Sequence, residues 1–93
     1  MTRRRIRTRE VLVYLGVEEQ TFLGPLREEG LFVGEELEPE EADDLRIAKV
    51  LMTEMGVNPA GVEVALHLRR RLLALEQRAR HLARALAEGD EPD

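Results

Sequence analysis

Two apolar stripes run along residues 62–86. Val64, Leu68, Leu72, Leu75, Ala79, Leu82 and Leu86 follow one another by steps of about four and three, the spacing of a coiled-coil seam. Val62, Leu66 and Leu73 form a second stripe, turned towards the rest of the chain. The tetrapeptide Gly56-Val57-Asn58-Pro59 fixes where this helix begins. Gly56 suits the left-handed close of a preceding helix, Asn58 suits an N-cap, and Pro59 suits the first helical position. The helix is expected to run to about Glu88, ~30 residues or roughly 45 Å at 1.5 Å per residue. A globule of this chain length is about 30 Å across, so the far end is expected to protrude. Leu68, Leu72, Leu75, Ala79, Leu82 and Leu86 are therefore read as a dimer interface.

The earlier part of the chain predicts shorter elements. Arg3-Arg4-Arg5-Ile6-Arg7 reads as a short edge strand or a loose arm. Thr8 is a candidate N-cap for a helix whose face is Val11, Leu12 and Leu15 and whose end is Gly16. A second helix starts at Glu18 and Glu19, buries Phe22, Leu23 and Leu26, and stops at Gly30. Residues 31–37 place short apolar runs either side of Gly34, which suits a minimal hairpin or wing. Pro39 opens a third helix with the stripe Leu45, Ala48, Leu51, Met52 and Met55. The order helix, helix, wing, helix, long helix predicts an all-α, mainly helical winged helix-turn-helix fold with a small wing and a long C-terminal dimerisation helix. Residues 1–57 form the winged helix-turn-helix region, 58–88 the dimerisation helix, and 89–93 an acidic tail expected to be disordered.

Charge sharpens this picture. The net charge of −5 covers a division along the chain. Residues 3–9 hold five arginines and no acid, whereas residues 18–44 hold eleven acids and one base, Arg27. Such separation concerns partners more than fold. Arg69, Arg70, Arg71, Arg78, Arg80 and Arg84 lie off the leucine seam and are expected to keep its flanks in water. The chain has no cysteine and three aromatics, which excludes disulfides and thiolate metal sites and leaves no platform for base stacking. No apolar run reaches the length of a membrane span, so a soluble, cytoplasmic protein is expected.

Residues 44–46 (Asp44-Leu45-Arg46), then Met55-Gly56-Val57-Asn58-Pro59-Ala60-Gly61-Val62 and Ala65-Leu66-His67-Leu68, resemble the MerR-like winged helix-turn-helix proteins. Within them the chain is most similar to the chaperone-modulator (CbpM-like) family, and the resemblance covers about residues 8–87. It implies a partner rather than a substrate. Such proteins bind the J-domain of a DnaJ-type co-chaperone and modulate its work with DnaK, which makes DnaK a second implied partner. A J-domain offers a basic helix and a histidine-proline-aspartate loop, which suits Glu18, Glu19, Glu28 and Glu29 as a docking patch. The alternative that the superfamily implies is a DNA-binding transcription regulator of the heat-shock repressor type. A duplex reader needs cations on its second helix and wing, and this chain puts Glu18, Glu19, Glu28, Glu29, Glu35, Glu36 and Glu38 there. That surface is not expected to dock on DNA, although the N-terminal arginines keep nucleic-acid contact open.

No catalytic constellation emerges. His67 and His81 are about four turns apart on one helix, roughly 20 Å, and cannot share a metal within a chain. Asp43-Asp44 beside Glu40-Glu41 reads as acids at a helix N-terminus, with nothing apolar around them to raise a pKa. The hydroxyl side chains (four threonines and Tyr14) have no neighbouring histidine, and no glycine-rich loop suits a phosphate. Neither an enzyme nor a cofactor is expected.

Overall fold

A computed structural model describes residues 4–89. Arg3 and residues 90–93 of the acidic tail lie outside the described residues. The chain is mainly helical. Strand β1 (Ile6–Arg7) leads into α1 (Thr8–Leu15). Helix α2 has a wide π-type first part, Glu19–Leu23, and an α-helical second part, Gly24–Glu28. Strand β2 (Glu36–Leu37) precedes α3 (Pro39–Lys49), which continues as a π-type turn over Val50–Glu54. Helix α4 (Pro59–Gly89) ends the described chain.

The punctuation before α4 is as the tetrapeptide requires. Gly56 sits at φ +68°, in the left-handed region that glycine tolerates. Asn58 Oδ1 accepts the Gly61 N–H at 2.7 Å, so one orphan donor of the first turn is satisfied. At α3, Glu38 and Glu41 form a reciprocal capping box ahead of Pro39. In α2 the helix continues through Gly24-Pro25. Pro25 has no N–H to donate, and the ladder widens ahead of it: the Gly24 N–H reaches Glu19 O instead of the carbonyl four residues back.

Two expectations fail here for one reason. Residues 31–37 do not fold on themselves as a hairpin. Glu36–Leu37 pairs antiparallel with Ile6–Arg7, Leu37 opposite Ile6 and Glu36 opposite Arg7. Ile6–Arg7, the end of the incoming arm, is thereby an edge strand. Thr8 does not cap α1. Its hydroxyl donates to Gly34 O at 3.0 Å and its N–H to Glu35 O at 2.9 Å, stitching α1 to the segment before β2.

The core is aliphatic with two phenylalanines. Leu12, Leu23, Leu26, Leu37, Leu45, Ala48, Val62 and Leu66 are buried, joined by Phe22 and Phe32. Burial of a leucine-sized side chain is worth roughly 1.5–3 kcal/mol, so these contacts carry the body's stability. The stripe on the third helix is shorter than its spacing suggests. Leu51 and Met52 are half-buried and Met55 is exposed, because the chain leaves the core at the turn after Glu54. Likewise Val62 and Leu66 pack on the body, but Leu73 is exposed: from Arg71 onward α4 has left the body. Its last 19 residues, roughly 28 Å of helix, stand clear and give the molecule a 62 Å long axis.

Candidate partner-binding surfaces

The direction of α4 is set by charge as well as by Val62 and Leu66. Asp44 on α3 is only 2% exposed. Its Oδ1 accepts from Arg69 Nη1 at 2.7 Å, and its Oδ2 accepts from Arg70 Nη2 at 3.0 Å. Asp43 accepts from Arg69 at 3.0 Å and from Arg46 at 2.9 Å. Asp44 is therefore no solvated acid at a helix start. Arg69 and Arg70 do not simply wet the seam; they hold the base of α4.

Along and beyond that joint the seam lies open. Val64, Leu68, Leu72, Leu75, Leu82 and Leu86 are each more than half exposed, and Ala79 is exposed between them. Monomeric soluble proteins rarely leave so continuous an apolar line in water. Its flanks carry Arg71, Glu76, Arg78 and Arg80, the last within 3.7 Å of Glu76.

The four glutamates at the two ends of α2 are all exposed, Glu18 and Glu29 as its flanking caps. They do not form one cluster. Glu18 and Glu19 stand where α2 begins, and Glu28 and Glu29 where it ends, about 15 Å along the helix. The one cation of α2 is tied inward. Arg27 Nε donates to Phe32 O at 3.0 Å and its Nη2 to Gly34 O at 3.3 Å, and so holds the segment before β2. Phe32 needs that support: it is buried at φ +52°, a conformation L side chains adopt reluctantly. With Arg27 engaged, α2 turns only carboxylates outward as charge.

Two further features were not legible as sites. A cleft of about 730 Å³ lies among β1, the first turn of α1, α2 and the segment leading to β2. Arg5, Arg7 and Arg9 line it together with Glu19, Glu35 and Glu36. Of the glutamates assigned to docking, Glu19 alone borders this cleft. The alternation of Arg5, Arg7 and Arg9 was the signal, but only the β1–β2 pairing shows what they face. A shallower groove of about 400 Å³ lies between α1 and α3, lined mainly by Ile6, Val11, Leu15, Pro39, Ala42 and Tyr14. Tyr14 is 87% exposed at its rim and Val13 beside it is also exposed, so both are open to an apolar contact.

His67 is exposed and Glu63 half-buried one turn away, and among the described residues no group of three potential ligands is placed to hold a metal. Among the same residues no helix is long and apolar enough to cross a membrane. Compared with protein-family models, with curated proteins and with solved structures, the chain matches none.

Proposed function

We propose that the chain is a non-enzymatic, homodimeric adaptor of the winged helix-turn-helix type, working in the cytoplasm as a chaperone modulator. Its partner is the J-domain of a DnaJ-type co-chaperone, and its effect is to regulate or assemble the complex of that co-chaperone with DnaK. The observation that carries the reading is the inward engagement of Arg27, which leaves Glu18, Glu19, Glu28 and Glu29 as the exposed charges of α2. Acids so placed attract a basic helix and repel a phosphate backbone. They set encounter rate and orientation, while apolar anchors such as Tyr14 supply the affinity. The exposed seam of α4 pairs two copies, so each assembly offers two such surfaces.

The second reading is a MerR-like DNA-binding regulator, and one observation favours it: Arg5, Arg7 and Arg9 gather along one cleft. A tagged copy tests the two together. Recovery of DnaJ and DnaK homologues from the source lysate, with no mobility shift of duplex DNA at low salt, supports the adaptor. Tight duplex binding with a steep salt slope supports the regulator.

A further inference from the structure

The cleft between β1 and α2 holds charge of both signs that the fold does not use. Its frame is fixed, because Thr8 and Arg27 both bond to Gly34 O and Arg27 also to Phe32 O. Arg7 stands directly across the ladder from Glu36, where an ion pair would need no backbone movement. Yet among the described residues neither Arg7 nor Arg9 forms an ion pair, and neither do Glu19, Glu35 and Glu36. Arg5 reaches only Glu38, at 3.8 Å.

This mixture constrains the occupant. A polyanion drawn by the guanidinium groups would bring its other charges against three carboxylates, and a polycation would meet the converse. Among the described residues no aromatic side chain lines the cleft, so a nucleic-acid base finds no ring to stack on. A polypeptide satisfies both signs, because a helix with acids and bases one turn apart presents them side by side. We propose that the cleft is a docking subsite for a polypeptide segment carrying carboxylates and cations together. The proposal rests on the protein-binding reading only in taking the occupant to be polypeptide, and it adds the arginines of the N-terminal arm to the docking surface.

An NMR titration of the isotope-labelled full chain at low salt tests this without any co-chaperone. The probes are a helical peptide alternating glutamate and lysine one turn apart, an oligo-glutamate of equal length, and a short DNA duplex. Saturable shifts of the amides of Arg7, Thr8, Arg9, Glu19 and Glu36 with the alternating peptide are expected. Arg7→Gln/Arg9→Gln should weaken that binding by about tenfold, with thermal unfolding unchanged because both side chains are exposed and unpaired. Tighter binding of oligo-glutamate or duplex at these amides would overturn the proposal, as would shifts confined to other surfaces or none at all. Co-chaperone binding, measured separately with the same variants, shows whether the adaptor reading stands or falls on its own.

Discussion

Asp44 and Arg70 meet at 3.0 Å where α3 crosses the base of α4, and the carboxylate they share with Arg69 is buried while both arginines reach water. An acid that deep is tolerable only with its partners in place. Asp44→Asn would turn an amide N–H₂ towards two guanidinium groups and remove the charge that holds them. A loss of about 2 kcal/mol is expected, below the full value for a buried pair because the arginines remain hydrated. For a domain of this size that lowers Tm by about 10 °C in a thermal melt. A change within the noise of the melt would remove the joint from the account.

Gly61 offers a prediction whose sign opposes helix propensity. Alanine in a helix interior is normally favoured over glycine by roughly 1 kcal/mol. Here an added Cβ would lie 2.7 Å from Val57 Cγ1 and 3.2 Å from the Asn58 Oδ1 that caps α4. Valine is stiff about χ1 and Val57 packs against the core, so the contact is not easily relieved. Gly61→Ala should destabilise by about 1 kcal/mol in urea unfolding. A stabilised variant would show that the start of α4 is slack.

Arg27→Ala removes two hydrogen bonds from the segment that holds buried Phe32 in its left-handed conformation. Hydrogen exchange at residues 31–35 should accelerate, with a global loss of about 1–2 kcal/mol. If exchange there were unaltered, the claim that Arg27 works inward would fail.

Much of α4 is readable before any coordinates. Gly56, Asn58 and Pro59 act through their own backbone preferences, and the leucine spacing is a local pattern. What could not be read depends on residues distant in sequence. Glu36–Leu37 looks like half of a hairpin because its real partner lies about thirty positions earlier. Asp44 looks like a solvated acid because the two arginines that neutralise it are supplied from α4. Leu73 and Met55 keep the period of their helices but sit past the points where those helices leave the core. Of the docking patch, exposure was legible and grouping was not, since nothing local shows that Glu19 borders an arginine-lined cleft.

The seam gives the assembly prediction. Leu75 and Leu82 are each more than half exposed on the part of α4 that stands clear of the body, so Leu75→Glu/Leu82→Glu should leave the fold and its Tm in dilute monomer unaltered while abolishing pairing. Light scattering with size-exclusion chromatography should give a dimer mass for the parent chain and a monomer mass for the variant. A monomeric parent at high concentration would contradict the assignment.

The central claim is that the exposed acids of α2 hold a basic polypeptide. Calorimetric titration of the purified J-domain of a DnaJ-type co-chaperone into the chain, and into Glu18→Lys/Glu19→Lys/Glu28→Lys/Glu29→Lys, tests it most directly. Micromolar binding that weakens as salt rises, and that falls at least about tenfold in the reversed variant with its fold and dimer mass intact, is the predicted result. Equal affinity of the two chains for the J-domain, or binding of neither, would contradict it.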